Sequence, residues 1–181
     1  MKGNERSSVL YVMVCAAGAA SSVQNFVERA QAEGWDVCVL LTPMASNFVE
    51  VSRLEQVTGH PVRSQYKHPD EPDVLPPADA IVVFPATFNT INKWALGISD
   101  NLVLGILCEC TGMKTPPILA VPVVRKGKLA DHPAFPRSLE LLRSYGVHVL
   151  YDPETYPPRN EVPANVILEA LRDVIQQKRE R

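Results

Sequence analysis

Four short stretches of this chain carry residue types from which an anion-binding or redox site is built. They are "CAAGAASS" from Cys15, "TPMASNF" from Thr42, "PATFNT" from Pro85 and "PVVRKG" from Pro122. Each follows an apolar run and offers small residues, hydroxyls or amides. Small residues such as Ala17, Gly18 and Ala19 let a ligand approach backbone N–H groups, and the positive end of a helix that begins there favours a phosphate. Thr42, Ser46, Thr87 and Thr90 add hydroxyl donors. This is the equipment a phosphorylated cofactor needs. The first stretch is neither G-x-G-x-x-G nor a P-loop, so its spacing by itself does not select a nucleotide.

The elements that hold these stretches alternate along the chain. "VLYVMVC" reads as a strand, and "SSVQNFVERAQAEGW" as a helix with Val23, Phe26, Val27 and Ala30 on one face and Ser21 or Ser22 as its cap. Gly34 ends that helix and "DVCVLLT" resumes as a strand. "MASNFVEVSRLEQVTG" is expected to be helical. The Pro-rich and charged segment after it reads as loop, with a short strand conceivable at Val62. "ADAIVVF" has the unbroken apolar character of a strand covered on both faces. A long helix over "TINKWALGISDNLVLGILCEC", a strand at "PPILAVPVV", a helix at "FPRSLELLRSYG" and a strand at "VHVLYD" follow. A last helix is expected over about 163–178. This order predicts one α/β domain over residues 1–181, a doubly wound, mainly parallel sheet flanked by helices. Ligands bind such sheets outside the carboxyl ends of the strands, where the four stretches lie.

Composition narrows the partners. The 181 residues are 46% hydrophobic, with 18 basic and 20 acidic residues well mixed and a net charge of -2. That suits one domain with a proper core and supplies no electrostatic footprint for nucleic acid or an anionic membrane. Cys15, Cys38, Cys108 and Cys110 lie in apolar stretches, as buried thiols do in a reducing compartment. Cys108 and Cys110 form a C-x-C with no second pair, so no metal is expected. Lys2 and Arg6 before "VLYVMVCAAGAA" imitate a secretory signal, but the βαβ unit would lose its first strand on cleavage. The expectation is a cytoplasmic protein with no membrane span.

Taken in order, "VCAAGAASSVQNFVERAQAEGWDVCVLLTPMASNFV", "PATFNTINKWALGISDNL", "PPILAVPVVR" and "DHPAFPRSLELLRSYGVHVL" resemble the homo-oligomeric flavin-containing cysteine decarboxylases. That family includes phosphopantothenoylcysteine decarboxylase and the decarboxylases of peptides ending in cysteine. The resemblance covers roughly residues 8–151. Its most specific piece is Pro85-Ala86-Thr87-Phe88-Asn89-Thr90, where the family commonly has P-A-S-A-N-T. The resemblance implies a Rossmann-like flavoprotein that binds FMN. Thr87, Phe88, Asn89 and Thr90 would contact the flavin or its ribityl phosphate, Ala17, Gly18 and Ala19 would form the phosphate-side turn, and Thr42, Phe48 and Val123 would complete the cofactor site. It also implies a homo-oligomer, a trimer or a multiple of trimers, acting on a small-molecule or peptide carboxylate. In the family's reaction oxidised flavin takes electrons from a cysteine-type substrate, and the resulting thioaldehyde lets the neighbouring carboxylate leave as carbon dioxide.

The chain departs from the family at the catalytic positions. The family's fifth strand commonly ends P-x-M-N, whose Asn binds the substrate carboxylate; here Arg125 stands in place of that Asn. A guanidinium can grip a carboxylate through two charge-assisted bonds, although Arg125 beside Lys126 and Lys128 also fits a solvated surface charge. The family's histidine base falls near Glu71, with His68 three residues earlier, so either side chain is a candidate base. His132 matches a family H-P and is expected to be structural, as is His148 within its strand. No cysteine follows Cys110, so the thiol used by the phosphopantothenoylcysteine enzymes is missing. The leading expectation is an FMN-dependent, decarboxylase-like enzyme. The alternatives are a flavin prenyltransferase-like enzyme and a flavin-binding or regulatory subunit without turnover.

Overall fold

A computed structural model describes residues 6–157 and 161–180. Five strands, β1 (Val9–Val14), β2 (Asp36–Leu41), β3 (Ala80–Ala86), β4 (Ile118–Pro122) and β5 (His148–Val149), pair in parallel in the order β2-β1-β3-β4-β5. The chain moves outward from β1 to β2, then returns to the other side of β1 to lay down β3. The loops leaving β1 and β3 therefore diverge, and a crevice opens between them at the carboxyl end of the sheet.

Both faces of the sheet are covered, which explains why its strands are apolar throughout. Leu10, Val12, Val14, Val82 and Phe84 point to one face, where they meet α1 (Val23–Ala32), α2 (Val51–Thr58) and α6 (Ala164–Arg179). The alternate residues Met13, Cys15, Ile81 and Val83 point to the other. That face packs on α3 (Phe88–Ala95), α4 (Leu102–Met113) and α5 (Ala134–Ser144). The 3.6-residue stripes do the covering, with Val23, Phe26, Val27 and Ala30 of α1 all buried. Phe26 meets Phe84 edge to face with ring centroids 5.9 Å apart. Among the described residues no helix is long and apolar enough to cross a membrane.

The doubly wound parallel sheet expected from the sequence is present, with three local differences. The long helix expected from Thr90 to Cys110 is two helices. Gly97, at φ 71°, takes the left-handed turn that ends α3, and the Asn101 side chain accepts the Leu104 N–H at 3.1 Å to start α4. Lys93 and Asp100 pair across the break, and the Trp94 indole donates to the Thr111 hydroxyl at 2.9 Å, holding α3 against α4. The second helix begins only at Val51, because Ala45–Asn47 form a single 3-10 turn and Glu50 is extended. At the strand considered near Val62 there is one parallel bridge, Arg63 to Leu40. The rest of residues 60–79 runs as a strap whose Tyr66 phenol donates to the Asn101 carbonyl at 3.2 Å. Gly105 makes room for that phenol, since a Cβ there would stand 2.0 Å from the Tyr66 oxygen.

Candidate functional site

Two chain segments that leave neighbouring strands build the crevice. After β1, Ala17 is extended and Gly18–Ser22 form a 3-10 turn leading into α1. Ala20 N–H donates to the Ala17 carbonyl at 2.9 Å, which leaves the Gly18 and Ala19 N–H groups without a partner inside the turn. Neither serine caps α1. The Ser22 hydroxyl donates to the Glu161 carboxylate and Ser21 bonds the Gly18 carbonyl at 3.0 Å. After β3, Thr87 is the N-cap of α3, and its hydroxyl oxygen accepts the Thr90 N–H at 3.4 Å. The Phe88 and Asn89 N–H groups therefore remain as the open donors of that helix.

Beneath Thr87 lies a small buried network. The Thr90 hydroxyl oxygen accepts from the Thr87 hydroxyl at 3.1 Å and from the Cys15 thiol at 3.3 Å. Burial pushes the Cys15 thiol above its ordinary range, against the opposing effect of bonds to Thr90 and Thr87. Cys15 and Thr90 thus brace the start of α3 from below. On the other side, Val123 N–H donates to the Ala86 carbonyl at 3.0 Å and fixes the end of β4 beside it.

Two adjoining cavities open over these ends, of about 420 Å³ and about 240 Å³, and both are bounded by Ala17, Val123, Val124 and Arg125. Thr87 and Phe88 wall the smaller. The Phe88 ring is held by His132 at 5.7 Å and Phe135 at 6.1 Å between centroids. Gly18, Ala19, Tyr151, Asp152 and Glu161 wall the larger. The chain after β5 is tied to the chain after β4 at two points. The Tyr151 phenol donates to the Val124 carbonyl at 2.8 Å, and Lys126 pairs with Glu154. Burial raises the Tyr151 phenol. Asp152 is held below the usual carboxylate range, first by the Thr155 hydroxyl and then by backbone N–H groups of the turn it closes.

Of the residues singled out in the sequence, Ala17, Gly18, Ala19, Thr87, Phe88, Val123 and Arg125 come together at these cavities. Thr90 sits below them, buried, and Asn89 stands exposed at the start of α3. Thr42 is buried at the end of β2, where its carbonyl accepts the Ala45 N–H at 2.8 Å. Phe48 faces a separate cavity of about 310 Å³ with Ser21 and Gln24, beyond the Gly18–Ser22 turn. His68 and Glu71 are not brought to the cavities of their own chain. They lie exposed on the strap, the His68 N–H donating to Glu71 Oε2 at 3.2 Å and the His68 ring 3.4 Å from Asp70. His132 packs on Phe88 and accepts the Ala134 N–H at 3.2 Å. Tyr151, Asp152, Tyr156 and Glu161 went unnoticed in the sequence, although the carboxyl-end rule applied to "VHVLYD" picks out the first two.

The whole of this arrangement falls within a known family. Residues 1–176 match the family described as Flavoprotein, and the chain belongs to it. It is 27% identical over 171 residues to the coenzyme A biosynthesis bifunctional protein CoaBC of Bacillus subtilis (strain 168), a match covering 86% of this chain and 41% of that one. It is 28% identical over 119 residues to a probable phosphopantothenoylcysteine decarboxylase of Streptococcus mutans serotype c, covering 62% of this chain and 65% of that one. The chain thus spans less than half the length of the bifunctional relative. In fold it is similar to the FMN-dependent cysteine decarboxylase TvaF from thioviridamide biosynthesis, with a TM-score of 0.74 at 22% identity over 93% of this chain and 98% of that one.

The donor set fits a flavin nucleotide. Free backbone N–H groups at two helical starts suit a phosphate or a polar ring edge, Val123, Val124 and Phe88 supply an apolar wall, and the cavity volumes lie in the range of small-molecule sites.

Proposed function

We propose that the protein binds FMN and decarboxylates a carboxylate substrate of the cysteine type. The observation that carries this reading is the convergence of two open helical starts, an apolar wall and the Arg125 guanidinium on adjoining cavities. Ala17, Gly18, Ala19, Thr87, Phe88, Asn89 and Val123 would hold the cofactor, braced by Thr90 from below and by Thr42 and Phe48 from the β2 side. Bound FMN supplies the two-electron acceptor that oxidation at the carbon bearing sulfur requires. Arg125 receives the substrate carboxylate beside the apolar wall of Val123, Val124 and Phe88.

His68 or Glu71 would serve as base in a homo-oligomer, a trimer or a multiple of trimers. Their exposed strap lies beside large apolar residues left uncovered in one chain, Tyr66, Leu96 and Ile98, around the break between α3 and α4. A neighbouring copy seated there covers that surface and meets the strap. The free thiols, three of them buried, suit a reducing compartment such as the cytoplasm.

The test is to incubate the FMN-treated protein with thiol-containing carboxylates, cysteine and C-terminal-cysteine peptides among them, and follow loss of carbon dioxide by mass spectrometry. Loss from at least one of them is expected. No loss across a broad set removes the decarboxylase reading.

A further inference from the structure

Arg125 and Asp152 are bracketed by cross-links. The residue before each is joined by the bond from the Tyr151 phenol to the Val124 carbonyl, and Lys126 and Glu154 pair just beyond them. Both line the larger cavity. Both are exposed, and among the described residues neither side chain forms an ion pair with the other or with any third group. Asp152 is ionised and turned into its own turn, where Oδ1 accepts the Glu154 and Thr155 N–H groups at 3.2 and 3.1 Å. Of the nearby charges, Lys126 pairs with Glu154 while its field also favours ionised Asp152, Glu161 accepts from the Ser22 hydroxyl, and Lys128 borders only the smaller cavity.

A cavity that presents one guanidinium and two carboxylates outside any ion pair, Asp152 and the Ser22-bonded Glu161, is complementary to a ligand carrying both charges. We propose that this cavity selects a small α-amino acid with a free ammonium group, holding its carboxylate at Arg125 and its ammonium at Asp152, in preference to N-acylated or peptidyl substrates. An acylated substrate satisfies Arg125 but strips water from an ionised Asp152 and returns no counter-charge. The identity of the reacting group, a thiol, rests on the decarboxylase reading above; the charge selection does not.

Binding is measured by calorimetry on the FMN-treated protein with S-methyl-L-cysteine and N-acetyl-S-methyl-L-cysteine, whose blocked sulfur keeps the reaction from starting. The free amino acid binds at least about tenfold more tightly, as expected for one charge-assisted contact. Asp152→Asn lowers its affinity by about tenfold and collapses the preference, and Glu161→Gln has a smaller effect. Asparagine still accepts the Glu154 and Thr155 N–H groups, so the turn survives and only the charge is lost. Equal or tighter binding of the acetylated compound, binding of neither, or a preference that survives Asp152→Asn overturns the proposal. Parallel assays with L-cysteine and N-acetyl-L-cysteine separate the two readings. A binding preference without release of carbon dioxide from either thiol sinks decarboxylation alone, and equal release from both sinks the charge selection alone.

Discussion

The two sides of the crevice are made of different material. On the side of β1 and β3 the polar groups left open are mostly backbone: N–H groups of Gly18, Ala19 and Phe88 at the cavities and of Asn89 beside them, set by a 3-10 turn and by the Thr87 cap. On the side of β4 and β5 they are side chains, Arg125, Tyr151, Asp152 and Glu161, carried on loops tied together by two contacts. Backbone donors survive any change of side chain that preserves the fold, so this side can hold a cofactor while its sequence drifts. On the proposed function, the side chains that carry the charge pattern make the other side the one that selects the substrate.

The contrast is broken most sharply by paired substitutions. Val123→Asp places a carboxylate in the apolar wall shared by both cavities and is expected to abolish FMN binding in a fluorescence titration. Arg125→Ala is expected to leave FMN uptake within about twofold and to lower kcat/KM for the carboxylate substrate by roughly tenfold to a hundredfold, the worth of a charge-assisted contact. If Arg125→Ala empties the protein of flavin, the division into a cofactor side and a substrate side is wrong.

A smaller effect probes the cofactor side alone. Thr87→Val removes the cap of α3 and the hydroxyl that bonds Thr90, at a residue that lines the smaller cavity. Thermal unfolding should show a loss of about 1 kcal/mol from the cap, and FMN affinity should fall by about tenfold.

The smallest effect concerns the sheet beneath both regions. Burial pushes Cys38 and Tyr11 each up to about 12 from ordinary values of 9.0 and 10.0. Both hold their protons to higher pH when folded than when unfolded, so their contribution is complete below about pH 9 and is lost as pH climbs toward 12. Denaturant midpoints should therefore fall across that window, and Cys38→Val should make the fall shallower.

Much of the fold was legible because its signals are local and periodic. The stripe of α1, the apolar run of β3 and the turn residues Gly34 and Gly146 each dictate structure within a few residues. The break between α3 and α4 was legible too in "GISDN", where Gly97 stops one helix and Asn101 starts another, but the continuous apolar pattern on either side masked it. On the cofactor side the small residues and the Thr87 cap announce themselves, since helix starts need such residues wherever they occur. The substrate side was half hidden. Arg125 was visible as a departure from a motif, whereas Asp152 and Glu161 acquire meaning only when the chain after β5 returns across the end of the sheet. His68 and Glu71 show the reverse case, residues of suggestive chemistry that the fold of one chain leaves on an exposed strap.

Binding of FMN at the open helical starts of Gly18–Ala19 and Phe88–Asn89 is tested most directly by the visible absorption spectrum of the purified protein followed by titration with added FMN. A flavin band, or saturable uptake of one FMN per chain that Val123→Asp abolishes, is the predicted result; a colourless protein that takes up no added FMN contradicts it.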